Sequence, residues 1–444
     1  MIITNGFAAS ATGGRKADIR VSAGKIAKIA PRITPARGEE VFDAKGLCVL
    51  PGLVDCHVHF RDPGNAHKED FHSGTASALA GGVTTIIDMP NNAPATTTLA
   101  ALHEKKAIAS KKAVCDYAFQ FGATQDNFAD AARAGKDNSV AALKIFFGSS
   151  TGNMLVESHS AILLHLAAFN KSKPVCFHAE DEEAIRRKTE AYKKEFPRAS
   201  VKLHNLVRPP HAAESAVLQI LSLALEAKRK VHLCHVSTAG ELRQLAACRK
   251  RGAKVSCEAT PHHLMLSEED LARLGNYGKV NPPLRSKEDR AAVWAALAAG
   301  RIDCIASDHA PHTREEKRQP YWNAPSGMPG VETTLPLMLT AVAAKKLPLP
   351  KLVQLASTNP ARVFNLKNKG AIAVGKDADL VLVDLKRRHA ISADKLHSRC
   401  GWTAFEGFPA VGSVERVFLR GKLAFDGKNI LLKPGEGRVA ALSR

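Results

Sequence analysis

Two rhythms of apolar and polar positions run along the chain. Over residues 1–47 short apolar stretches alternate with turns: Met1–Thr4, Ala17–Val21, an Ala23-Gly24 turn, then Ile26–Ile29. That texture predicts strands. It returns near the other end in Ala378–Val383, Val414–Leu419, an Arg420-Gly421 turn and Leu423–Phe425. Neither flank is long enough to bury a core alone. The two are expected to pair into one small β-sandwich domain, residues 1–47 with 366–444.

Between them the rhythm changes. Apolar, β-branched runs recur at Val49–Phe60, Thr84–Met89, Cys115–Phe121, Ala142–Phe147, Val175–Ala179, Val231–Val236, Val255–Ala259 and Ile302–Ala306. Ala/Leu-rich helical stretches mostly separate them. Strand alternating with helix implies a parallel sheet, and eight such units imply an α/β fold, a (β/α)8 TIM-like barrel over 48–365. A doubly wound sheet would call for a G-x-G-x-x-G after its first strand, and none is present.

Composition narrows the function classes. The 444 residues are 45% hydrophobic and 24% charged, which excludes disorder, collagen and coiled coil. The 63 Lys+Arg against 43 Asp+Glu leave a formal charge of +20. The flanks carry +4 and +7 of it and the longer middle only +9. Basic doublets and triplets such as Arg186-Arg187-Lys188 and Lys386-Arg387-Arg388 are scattered, as on a solvated face. No zinc-finger spacing, bZIP pattern or aromatic-basic signature accompanies them, so a nucleic-acid partner is not expected. The nine cysteines form no CxxC pair and mostly sit in apolar runs, which reads as buried thiols in a reducing compartment. With no leader-like start and no stretch approaching a membrane span, a soluble cytoplasmic protein is expected.

Candidate chemistry collects at the C-terminal ends of the barrel strands, where such barrels place it. In order these ends carry His57 and His59, Lys144, His178, His235 and Asp308. Imidazoles, a carboxylate and an amine together have the composition of a metal centre. His57 and His59 are two apart on a strand and so share a face. Lys144 lies in ALKIFF, where burying an ammonium costs several kcal/mol unless it is paired or neutralised. Carboxylation of the amine to a metal-bridging carbamate resolves that cost, and so does snorkelling to the rim. The residues leave both open. Asp308 could be a ligand, a general base, or both in turn; a helix-capping role is weaker because His309 and His312 crowd the same loop.

At these residues the sequence resembles the dihydroorotases of the amidohydrolase superfamily. The resemblance rests on DCHVHFRDPG at 55–64, DMPNN at 88–92, LKIFFGSSTGN at 143–153 and CFHAED at 176–181. HLCHVS at 232–237, CEATPHHL at 257–264, NPPLRS at 281–286 and SDHAPHTREEK at 307–317 complete it. The motifs run collinearly over nearly the whole chain. They imply a reversible cyclisation of N-carbamoyl-L-aspartate to L-dihydroorotate plus water, the third step of pyrimidine biosynthesis. They also imply two zinc ions per chain, bridged by carboxylated Lys144 and a hydroxide. His57, His59 and Asp308 would hold one zinc, and His178 and His235 the other. Asp308 would shuttle the proton between water and the ring nitrogen.

Arg61, two residues beyond His59, shares its strand face and can fork onto the α-carboxylate of the substrate; the alternative is a rim arginine pairing Asp62. Asn91, Asn281 and His312 resemble the remaining substrate contacts, with turn or capping roles as the alternative. Glu258 stays outside the metal set; an extra metal, associated with this position in some relatives, and an inward carboxylate bonded to His262 or His263 are both open accounts of it. The polar, Gly/Pro-bounded stretch 312–330 reads as a lid or substrate-facing loop, with backbone near Ser326 and Gly327 meeting the ring amides. The resemblance further implies a homo-oligomer such as a dimer, with a carbamoyltransferase as a candidate partner. Two rival readings stand beside it. One is an allantoinase- or hydantoinase-type cyclic amidohydrolase. The other is a non-catalytic scaffold, against which the six filled ligand positions speak.

Overall fold

Sixteen strands form two sheets in the computed structural model, which describes residues 1–149 and 154–443. Residues 150–153, which close the LKIFFGSSTGN run, lie outside the described residues. The strands are β1 (Ile2–Ser10), β2 (Gly13–Ser22), β3 (Lys25–Ala30), β4 (Val41–Asp43), β5 (Cys48–Pro51), β6 (Leu53–Val58), β7 (Val83–Asp88) and β8 (Asp116–Gly122). There follow β9 (Val140–Phe147), β10 (Val175–Ala179), β11 (Val231–Leu233), β12 (Val255–Ala259), β13 (Cys304–Ile305), β14 (Leu380–Ala390), β15 (Pro409–Leu419) and β16 (Lys422–Phe425).

The terminal segments build one sheet in the order β16-β15-β14-β5-β1-β2-β3, with β4 branching from β1. It wraps a core of its own around Ile3, Ile19, Val49, Leu380 and Phe418. Both turns expected from sequence are present. Ala23 and Gly24 have φ of 47° and 76°, Arg420 and Gly421 48° and 76°. Two successive left-handed residues match the twist of a two-residue hairpin, and the glycine takes the second position without strain.

The second sheet is the barrel, all parallel, in the order β13-β12-β11-β10-β9-β8-β7-β6. Its two end strands meet at the top. A parallel bridge joins Val58 to His309, and the His59 amide donates to the His309 carbonyl at 2.8 Å. Lower down, the buried Asp55 carboxylate accepts from the Ser307 amide at 3.1 Å. The seam is thus closed by the residues flanking the candidate ligands.

One expected element divides. The run Val49–Phe60 is two strands, β5 and β6, in different sheets: β5 pairs with β1 and β14, β6 with β7. Gly52 makes the break, and a Cβ there would lie 2.1 Å from Thr84 Oγ1. Uninterrupted hydrophobicity conceals such a crossing because both sheets bury both strands. Parts of the C-terminal segment also return to the barrel. Trp402 Nε1 donates to the His312 carbonyl at 2.7 Å. The tail pairs with the start of β8, Tyr117 donating to Arg438 and Ala440 to Tyr117. Between the two bodies, buried Lys369 donates to Asp116 and Asp379, each at 2.6 Å. Among the described residues no helix is long and apolar enough to cross a membrane.

Candidate metal centre and active site

β6 delivers His57 near its C-terminal end and His59 just beyond, and their Nε2 atoms converge at 3.1 Å. Asp308, three residues past β13, closes the group with Oδ1 3.2 Å from His57 Nε2 and 3.1 Å from His59 Nε2. The opposite ring nitrogens decide what these atoms offer. His57 Nδ1 meets a Glu258 oxygen, and His59 Nδ1 donates to Asn91 Oδ1 at 2.6 Å. A ring carrying one proton therefore holds it on Nδ1 and presents a lone pair at Nε2, and a cation bound at His57 would replace the second proton that its two carboxylate neighbours favour. Two lone pairs and a carboxylate oxygen facing one point, with no donor between them, fit a cation.

The second pair repeats the device. His178 from β10 gives Nε2 to Glu180 Oε2 at 3.0 Å, which leaves Nδ1 to face His235 Nε2 at 3.0 Å. Glu180 is held in turn by Arg208. His235 and Asp308 have φ of 31° and 47°, a conformation non-glycine residues rarely adopt. Strain of about 1–3 kcal/mol at each of two candidate ligand positions is the kind that surrounding structure retains at functional sites.

Lys144 is fully buried in β9, and its amine donates to Cys234 Sγ at 3.0 Å over the Phe146 ring. Among the described residues that thiol is its one polar partner. Its charge also bears on its neighbours, pushing His57, His178 and His235 towards the neutral form. For His178 and His235 burial is the larger cause, and both titrate below the ordinary histidine range. Burial likewise brings His59 down to about 4. His57 is the exception. Burial opposes its charge, but Glu258 and Asp308 together carry it up to about 10. Burial resists ionisation of Asp308 as well, yet the imidazoles around it, His57 first, hold its carboxyl well below the usual range.

Glu258 corrects the sequence expectation. Its partners are His57 and His232, the latter through Nε2 at 3.0 Å. His263 is engaged elsewhere, by Thr260 Oγ1 at 2.8 Å and the Pro282 carbonyl at 3.1 Å. Nearness in the chain misleads here: β12 aims Glu258 across the barrel, whereas His262 and His263 already belong to the following helix. His57, Cys234 and Glu258 also bring ligand atoms within 4.8 Å of one another. Glu180 is missing from the residues singled out by sequence, although its position two residues from His178 is the same-face signal that joins His57 to His59.

Arg61 is buried and does not pair with Asp62, which Lys112 takes at 2.7 Å. Its guanidinium instead donates to the Pro311 carbonyl at 3.2 Å and approaches His312 Nε2 at 3.2 Å. Arg61 and His312 therefore form one corner beside the ligand cluster. Asn91 stands on His59, and Asn281 meets His204 through Oδ1 at 3.0 Å.

Residues 48–424 match the model of the Amidohydrolase family. The chain belongs to that family. Among curated relatives, a dihydroorotase of Halobacterium salinarum is 41% identical over 423 residues, covering 94% of this chain and 95% of that one. A dihydroorotase of Methanosarcina mazei is 40% identical, covering 95% and 93%. The Multifunctional protein CAD of Squalus acanthias is 38% identical over 88% of this chain and 16% of its own. Within the family the chain therefore belongs with the dihydroorotases. Among solved structures it resembles an L-hydantoinase (dihydropyrimidinase) from Arthrobacter aurescens, with TM-score 0.94, 30% identity and 99% of each chain covered.

Proposed function

We propose that this chain is a dihydroorotase, a cyclic amidohydrolase that interconverts N-carbamoyl-L-aspartate and L-dihydroorotate plus water. The observation that carries the reading is the buried Arg61 beside His312 at the edge of the ligand cluster. A fixed guanidinium fork recognises a carboxylate, and dihydroorotate carries one on the ring, where hydantoin and dihydrouracil have none. The hydantoinase reading has the overall fold in its favour. Turnover of L-dihydroorotate, dihydrouracil and allantoin by the same preparation separates the two: dihydroorotate is expected to be the best substrate. If it were the poorest, the assignment would be wrong.

His57, His59 and Asp308 would hold one zinc, His178 and His235 a second, with carboxylated Lys144 between them. Zinc bound there supplies Lewis acidity, polarising the scissile carbonyl and making water a nucleophile near neutral pH. The protein's own groups do the rest. Arg61, set beside His312, forks onto the carboxylate of the ring, with Asn91 and Asn281 as further substrate contacts. Asp308, held ionised, takes the proton of the attacking water and gives it to the departing ring nitrogen. In the synthetic direction the same carboxyl removes a proton from the ureido nitrogen, as microscopic reversibility requires.

Carboxylation of Lys144 is supported by its surroundings. An ammonium there opposes charge on His57, His178 and His235 and has a thiol as its polar partner. A carbamate removes the positive charge and offers two oxygens. Lys144→Ala is expected to lose nearly all activity and most bound metal, with partial recovery in acetate, which supplies a short bridging carboxylate. Unchanged activity in that variant would refute the carbamate. The nine buried free thiols support a reducing cytoplasmic location, and a homo-oligomer is the expected state in solution.

A further inference from the structure

The stretch 312–330, expected as a lid, is pinned by two buried ammoniums. Lys317 ends a short helix, Arg314–Lys317, whose Thr313 cap is reciprocated by Glu316. Its side chain is 1% exposed. All three of its N–H groups are used, on the carbonyls of Pro325 and Gly327 at 2.9 Å each and of Lys279 at 3.2 Å. Lys279 does the same further out, donating to the Tyr321 carbonyl at 2.7 Å and the Ala324 carbonyl at 2.6 Å. An ammonium saturated by main-chain carbonyls fixes backbone position as firmly as a turn, because each lost bond would leave a buried charge unsolvated.

What Lys317 brackets is Ser326, between the two carbonyls it holds. The Ser326 carbonyl lies 3.1 Å from His312 Nε2, the nitrogen that Arg61 also approaches at 3.2 Å. One nitrogen cannot give a proton to the carbonyl and accept one from the guanidinium. On the other edge of the ring, Nδ1 faces the Lys68 ammonium at 3.4 Å, a donor, while the Glu316 carboxylate that Lys68 pairs at 2.7 Å stands farther from Nδ1, at 3.6 Å. Burial and the adjacent Arg61 keep His312 neutral, its pKa pushed down to about 3, so a single ring proton has to be placed.

We propose that Lys317 is a specificity-positioning residue: by clamping Pro325–Gly327 it holds the Ser326 carbonyl on His312 Nε2–H, which denies that nitrogen to Arg61 as an acceptor and keeps the guanidinium fork for the substrate carboxylate. Gly327 lets the clamp close. Its φ is 134°, and a Cβ there would lie 2.5 Å from the Ala310 carbonyl oxygen. The inference rests on the dihydroorotase reading only for the identity of the carboxylate.

The test has two arms on the zinc-loaded enzyme. In Lys317→Gln the KM for L-dihydroorotate is expected to rise about ten-fold or more with kcat within about three-fold, since carboxylate binding, not chemistry, is disturbed. Its preference for L-dihydroorotate over dihydrouracil, the same ring without the carboxylate, falls by the same factor. Lys279→Gln, which removes the neighbouring staple, is expected to lower thermal stability but keep that preference. The second arm needs no variant beyond assignment: 15N–1H correlation of the imidazoles in the wild-type protein, with His312 assigned through His312→Gln, should show the proton on Nε2. A proton on Nδ1, or an undiminished preference in Lys317→Gln, overturns the proposal. Absence of dihydroorotate turnover in the wild type would instead overturn the functional reading and leave the tautomer measurement standing.

Discussion

His57 is the residue on which the site turns. One ring nitrogen faces the candidate metal position and the other is fixed by Glu258, which His232 and the His235 amide also engage. Glu258 thus orients one histidine of each pair without being needed as a ligand. Groups at this distance usually change metal affinity or activity about 10–100-fold. Glu258→Gln is accordingly expected to lose bound zinc on dialysis well before the wild type does, measured by metal analysis against time. Arg61→Met should behave oppositely, keeping its zinc and raising KM for dihydroorotate. Zinc loss in that variant would assign Arg61 to the metal centre instead. The candidate ligands were legible in the chain, because a His-x-His inside an apolar run sets two imidazoles on one strand face where burial alone would favour hydrocarbon. Their supports were not. Glu258 is about 200 positions from His57, and only barrel closure brings them together.

Among the elements, it is the loops and inserted segments that shape the active-site rim. Residues 391–408 pack beside it, and His397 docks them through Glu332, its Nδ1 2.9 Å from Oε1. That hydrogen bond raises the His397 pKa above its ordinary value near 6.5. A raised folded pKa stabilises fully below the unfolded value and loses that contribution as pH climbs through the folded one. His397→Gln should therefore lower Tm at about pH 6 and have little effect at about pH 9. An equal loss at both values would show that packing, not the proton, is what His397 provides. The eight barrel strands were readable because a parallel strand buried on both faces is a continuous apolar run. The same property hid the crossing at Gly52, where one run serves two sheets.

Over the whole molecule, the +20 charge keeps little of its first significance. The cation proposed to read the substrate is a single buried arginine, and much of the basic excess lies on the terminal sheet and its flanks. The tail that follows that sheet has a structural task. It runs back under the barrel, donating from Ala440 to Tyr117 and from Ser443 to Asn365, with the Arg438 amide on Asp116. Asp116 also pairs with Lys369 and Arg420, which ties barrel and terminal sheet into one charge cluster. Removing residues 438–444 should lower Tm by several degrees while leaving the KM for dihydroorotate unchanged, because the tail closes the end of the barrel away from the catalytic loops. A changed KM with an unchanged Tm would contradict that separation.

Local periodicity and residue chemistry were enough to specify the barrel, the sheet shared by the two ends, and the side chains proposed here to hold metal. None of these needs knowledge of distant neighbours. Three further choices waited on the fold: which nitrogen of each histidine faces inward, that Glu258 serves His57 and His232, and that Arg61 turns to His312 rather than Asp62. All three are choices among partners far apart in the chain. A proton on one side of an imidazole ring is placed by whatever acceptor the fold carries to it, and no spacing along the chain encodes that.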